Sequence, residues 1–156
     1  MCQIRIMNKK KLIVSLAVVA VIAAGFYYYQ TKPDVSDPLV AYKAAMGKDT
    51  VGGKTPAETL ALFVAALKAN DATGAAQYFM LDDNVSRAKW EKQLADLQAQ
   101  GMLIQMADDI EKNARAIKPL YEGDGGYELL NNEGNVRDVL DMELNKFTGV
   151  WKLQSL

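Results

Sequence analysis

Histidine is absent from the 156 residues, and cysteine occurs once, at Cys2. Without histidine, Ser/His/Asp and Cys/His relays are excluded, and so are the usual nitrogen ligands of zinc, copper and non-haem iron. An enzyme built on this chain would have to use carboxylates, tyrosine or lysine, and no cofactor is expected. With no cysteine after Cys2, no disulfide can staple the rest of the chain, whose stability must come from packing. Positive charge is scarce after the first residues. Of 18 basic residues, Arg5, Lys9, Lys10 and Lys11 precede the first apolar run, and 14 remain against 19 acidic ones, a net charge near −5. An acidic part without a basic stripe argues against nucleic acid or anionic lipid as its ligand.

What the chain does have is one long apolar run, residues 12–29, from Leu12 to Tyr29, with no charge in it. At 1.5 Å per residue it makes about 27 Å of helix, enough for the hydrocarbon of a bilayer. Nine of its residues are Leu, Ile, Val or Phe, which favour insertion by about 3–5 kcal/mol. Basic residues flank it only on the N-terminal side, so the tail 1–11 is expected in the cytosol and the rest of the chain outside. Phe26, Tyr27, Tyr28 and Tyr29 close the run as an interfacial aromatic belt would. The competing reading is a secretory signal cleaved near Gly25, after Ala23 and Ala24. Residues 30–54 read as a juxtamembrane linker with a short helix, and residues 55–156 as one domain, too short for two cores.

Along the chain, Asp37-Pro38 opens a short helix that Gly47 can close, and residues 48–54, with Gly52-Gly53, read as a flexible joint. Thr55-Pro56-Ala57-Glu58 is a capping box, followed by Leu60, Phe63, Val64 and Leu67 at i, i+3, i+4 and i+7. Asp71 caps a helix through Ala75, Ala76 and Phe79. After the turn at Asp82-Asp83-Asn84, Ser86 caps a helix burying Trp90, Leu94 and Leu97, which Gly101 interrupts. Leu103, Met106, Ala107 and Ile110 mark one more, ending near Asn113. The period then shortens to two. Residues 116–121 and 127–130 read as strands around the glycines at 123–126, and 131–135 as a turn. Leu140, Met142 and Leu144 alternate with Asp141, Glu143 and Asn145, and after a turn at 147–149 the last strand points Trp151 and Leu153 one way. Helices first and a meander last predict an α+β domain with helices packed on a curved antiparallel sheet.

The run TPAETLALFVAALKANDATGAAQYF (residues 55–79), with GVWKL at 149–153, resembles the nuclear transport factor 2-like (cystatin-like) superfamily. Within it the chain is most similar to small exported or membrane-anchored bacterial proteins of unknown function. Their first helix has the form P-x-E-x-x-x-x-F-x-x-A-L-x-x-x-D, a short A-A-x-Y-F helix follows, and the chain ends in a W-K-L strand. The resemblance implies a cone-shaped fold with a sheet curled around helices. Some members use its pocket for isomerase, dehydratase or hydrolase reactions, and many others only bind or dimerise.

Tyr78, Trp90, Tyr121, Tyr127 and Trp151 are the aromatics that would line a ligand pocket or partner surface. Asp82 and Asp83, with Asn84 and Ser86, offer oxygens for a hard cation or paired carboxylates, against the plainer reading of a turn and cap. Asp108, Asp109 and Glu111 read as a wet helix face, and the glycines between Glu122 and Glu128 lack the alternating ligands of a calcium loop. Met102, Leu103, Ile104 and Met106 make either core or a contact patch. The functional expectation is a membrane-anchored extracytoplasmic domain that binds a small ligand, itself or an envelope protein. The alternatives are a small-molecule enzyme using a buried carboxylate with tyrosine, and a structural subunit of an envelope assembly.

Overall fold

The structure, a computed structural model, describes residues 37–156, and Ala41–Leu156 form one compact unit. The tail 1–11, the expected anchor 12–29 and the start of the linker lie outside the described residues. Among the described residues no helix is long and apolar enough to cross a membrane.

Helix α1, Pro38–Met46, begins where the Asp37 carboxylate takes the Leu39 N–H at 2.8 Å. Helix α2, Pro56–Lys68, starts at Thr55, whose hydroxyl accepts from Glu58 N. The glutamate reaches one residue further back than a capping box requires and accepts from Lys54 N at 2.7 Å. Asn70, at φ 56°, ends this segment in the left-handed region that asparagine tolerates. Helix α3, Ala72–Ala76, is capped by Asp71 on Gly74 N. It stops short of Phe79, contrary to the expected run, because Tyr78 O and Met80 N bond to Leu153 of the final strand and hold Phe79 beside it in a parallel bridge. Helix α4, Ala88–Ala99, starts after Arg87, one residue later than a Ser86 cap would place it, with the Ala88 N–H donating to Ser86 Oγ at 3.0 Å, and α5, Leu103–Asn113, follows the left-handed Gly101 at φ 71°.

Four strands complete the described residues: β1 Ala114–Ala116, β2 Asp124–Leu130, β3 Val136–Asn145 and β4 Val150–Leu153. They pair in sequence order, every neighbour antiparallel. Two expected boundaries are corrected. The first strand lies at 114–116, directly after α5, and residues 117–123 connect it to β2. Gly125 and Gly126 lie inside β2, not in the loop. A Cβ at Gly126 would sit 2.5 Å from the Leu140 carbonyl oxygen, and one at Gly125 would meet the Trp151 ring and Pro56. The glycines are there for close approach. Gly126→Ala is expected to cost about 1–3 kcal/mol through forced strand displacement, read as a lower urea midpoint.

Residues directly opposite in a sheet share a face. Tyr127 faces Leu140, and Met142 faces Leu153, so this face meets the helices. Leu129, Leu140, Met142 and Leu153 pack there with Phe63, Val64 and Leu67 of α2, Ala75, Ala76 and Phe79, Leu94 of α4, and Leu103, Ala107 and Ile110 of α5. The helices thus pack on one face of a four-stranded antiparallel sheet, an α+β arrangement.

Candidate functional site

The other face of β3 and β4 should be wet by its alternation of Glu143, Asn145 and Lys152, yet Asn145 and Lys152 are buried. The stretch 48–54, expected as a flexible joint, lies over them. Lys152 Nζ donates to Asp49 Oδ1 at 2.8 Å, to Val51 O at 2.8 Å and to Gln77 O at 2.6 Å, which uses all three ammonium protons. The second Asp49 oxygen takes the Arg87 guanidinium, whose Nε also donates to Phe79 O at 2.6 Å. Asn145 Nδ2 donates to Met46 O and Asp49 O, and Thr148 Oγ1 donates to Asp49 O. Thr59, also buried, accepts from Gly53 N at 2.8 Å and donates to Trp151 O at 3.0 Å. Among the described residues no buried side-chain nitrogen or oxygen is left without a partner.

Burial, joined by the nearby Arg87 charge, pushes Lys152 down to about 8, against the opposing hydrogen bond and attraction of Asp49. The ammonium therefore persists at pH 7, and a lysine with every proton committed has none to offer a substrate. The group is structural. Its proton linkage has a definite sign. Between about 8 and the ordinary value of 10.5 the unfolded chain holds a proton that the folded chain lacks, so stability rises with pH across that window. Below it the dependence vanishes. Tyr42 and Tyr127 act oppositely. Burial raises both hydroxyls above 10, helped at Tyr42 by Asp83 and Glu143, so their contribution is lost as pH climbs further. The unfolding free energy is expected to gain about 1 kcal/mol from pH 7 to 9, and the rise should end above 10.5, where only the opposing tyrosine contributions remain, as urea titrations at fixed ionic strength would show.

The surface suited to binding lies on α2. In its sequence PAETLALFVAALK only Glu58 and Lys68 are charged. Phe63, Val64 and Leu67 face the core, but Ala57, Ala61, Leu62 and Ala65 on the outer side are exposed, Leu62 at 44%. Between Glu58 and Lys68 the solvent side of this helix is thus apolar, where a surface helix ordinarily turns polar residues outward. On one side of it runs a groove of about 370 Å³, lined by Leu60, Ala61, Val64 and Ala65 of α2, Ile110 of α5, Ala114 of β1 and Tyr127 of β2, with Lys68 and Glu111 bonded at its rim at 2.6 Å. On the other, Gly52, Gly53, Lys54, Glu58, Ala61 and Leu62 line an open hollow of about 440 Å³. Tyr127, predicted from sequence as a binding aromatic, reaches the groove. Comparison with family models, curated proteins and solved structures finds no match. Geometry alone ranks these surfaces.

The other predicted aromatics do not converge on this groove. Tyr78 sets its edge against Phe63, with centroids 6.5 Å apart, and Trp90 stacks on Phe79 at 4.1 Å. Trp151 packs over Gly125, while Tyr121 stands 65% exposed on the loop before β2. Asp82 spends its Oδ1 on the N–H groups of Asn84 and Ser86, as a turn does. Asp109 pairs with Arg137, whose hydrogen bond holds that carboxyl below the usual range, whereas Asp108 and Glu111 flank Lys68. Asp124 accepts from Leu120 N, and Glu128 pairs with Arg115. Among the described residues no cluster of three or more His, Cys, Asp or Glu is placed to hold a metal ion. Leu103 is core, Met106 half-buried, and Met102 and Ile104 exposed beside a shallow hollow that Met102 lines.

Reasoning from sequence missed the α2 outer face and the Asp49–Lys152–Arg87 group. The alanines of α2 were readable as an excess of apolar residues around the helix. Asp49 and Lys152 carry no local signal.

Proposed function

We propose that this chain is a single-pass membrane-anchored, extracytoplasmic binding domain of nuclear transport factor 2-like build, which holds its partner against the outer face of α2. The anchor rests on the uncharged run 12–29 and its one-sided basic flank. The superfamily reading rests on the motifs at 55–79 and 149–153 and on the order of elements, helices before an antiparallel meander. The observation that carries binding is the apolar solvent side of α2 between two hollows. It favours binding over an isomerase- or dehydratase-type reaction. The carboxylate at the groove, Glu111, is 52% exposed and paired with Lys68, whereas a general base of that kind requires desolvation.

Two measurements test this. A photo-crosslinking residue at Ala61 in the full chain, irradiated in cells, should yield covalent adducts, and the same residue at Gln93, exposed on α4, should not. Equal yields at both positions, or none at Ala61, would sink the binding surface. Protease added to spheroplasts should degrade the part after Ala41, and protection of that part would remove the extracytoplasmic assignment.

A further inference from the structure

We infer that the end of the domain formed by residues 117–123 and 146–149 rests in the headgroup layer of the membrane that anchors the chain, with Leu120, Tyr121 and Phe147 inserted among lipids of no net charge. The inference rests on the anchor reading above and adds a contact that an anchor does not by itself require. Both segments lie at one end of the sheet, because β2 and β4 start where β3 ends. Asp124 faces Glu143, Val150 faces Asn145, and Leu144 N donates to Gly123 O at 3.1 Å. On these segments stand Leu120, 89% exposed, Tyr121 at 65% and Phe147 at 54%. Leu120 is the most exposed large apolar side chain among the described residues. Its loop is a bonded one: Leu120 N donates to Asp124 Oδ2 at 3.0 Å, and Asp124 N donates to Tyr121 O at 3.2 Å.

What covers this end follows from where the chain leaves it. Tyr42 and Met46 of α1 line a hollow with Leu144, Lys146 and Phe147, so the chain departs toward its N-terminus beside Phe147. Twelve residues separate Tyr42 from Tyr29, the last of the apolar run, a tether of at most about 40 Å even if fully extended. The Ala41–Leu156 unit is itself about 35 Å across. A tether so short keeps the end where it attaches against the bilayer. Charge then selects the kind of lipid. Around the two segments Lys54, Lys118 and Lys146 stand against Glu58, Glu122, Asp124 and Glu143, a net of −1, and the buried group of Asp49, Lys152 and Arg87 adds +1. An end so near neutrality has no pull on anionic headgroups, and the contact is the apolar and aromatic one that tyrosine and lysine stems make at the interface. Three side chains are too few to hold a free domain on a bilayer, since even a whole myristoyl chain does so only marginally. The anchor supplies the effective concentration that keeps them there.

The test uses the full chain with Cys2→Ser, reconstituted at low protein density in neutral phosphatidylcholine vesicles. A fluorophore on Lys118→Cys should be quenched by lipids spin-labelled near the headgroup at least about threefold more than one on Asn132→Cys, which lies at the far end of strands about 25–35 Å long. Adding Leu120→Asp and Tyr121→Asp should bring the value at position 118 down to that at 132, and Leu120→Phe should preserve it. Urea midpoints would confirm that each variant folds. Equal quenching at 118 and 132, or quenching at 118 indifferent to the two aspartates, would overturn the inference while leaving the anchor in place. Shielding of position 118 from aqueous iodide without lipid quenching would overturn it in favour of a second copy covering these loops. A chain stripped from the vesicles by an alkaline carbonate wash would remove the anchor and the contact together.

Discussion

Asp49→Ala is expected to lower the unfolding free energy by about 3–5 kcal/mol at pH 7, because it strands two buried cations, Lys152 and Arg87, in one site. Against the roughly 5–15 kcal/mol that ordinarily separates folded from unfolded chains, that removes at least about a fifth of the stability. Chemical denaturation followed by Trp90 and Trp151 fluorescence would measure it. The loss has a pH signature that a packing defect lacks. Asp49 is the group that raises the Lys152 pKa against burial, so without it the amine sheds its proton more readily, and raising the pH from 7 to 9 should return part of the loss. A deficit independent of pH would show that the carboxylate matters only as filler. Replacing the whole group with apolar residues, Asp49→Leu with Lys152→Met and Arg87→Met, should recover only part of the deficit. The carbonyls of Val51, Gln77 and Phe79 would then lose their donors.

Phe79→Ala is the second large effect, at about 3–5 kcal/mol. Its ring is fully buried, edge-on to Phe63 at 5.6 Å and stacked on Trp90 at 4.1 Å, so truncation removes the piece that joins α2 to α4. The backbone around residue 79 is held independently of its side chain, by the bonds of Tyr78 and Met80 to Leu153 of β4 and by that of Arg87 to the Phe79 carbonyl. The variant should therefore keep its secondary structure by circular dichroism while its urea midpoint falls. Phe79→Leu should fall much less, and equal losses for leucine and alanine would point to the aromatic geometry in place of volume.

Both effects come from positions whose importance is unevenly visible in the chain. Phe79 was readable as a core residue, but in a helix; the bonds of Tyr78 and Met80 to Leu153 redirect it into a bridge. The capped starts at Thr55 and Asp71, the α5 stripe and the turns at Asn131 and Gly149 were readable because each rests on chemistry within a few residues. The boundary of β1 and the place of Gly126 were not. A glycine needed for close approach to Leu140 looks, in sequence, the same as a glycine in a loop.

Local rules therefore determined where most helices start and stop, that a meander follows them, and that α2 carries an apolar stripe for the core, since periodicity and capping act over short stretches. Only the tertiary structure decided that residues 48–54 lie against the sheet, that Lys152 is a buried ammonium with three acceptors, and that grooves flank the outer side of α2. These features depend on residues about a hundred positions apart meeting in space, such as Asp49 and Lys152, and no short window of sequence contains both halves of such a contact.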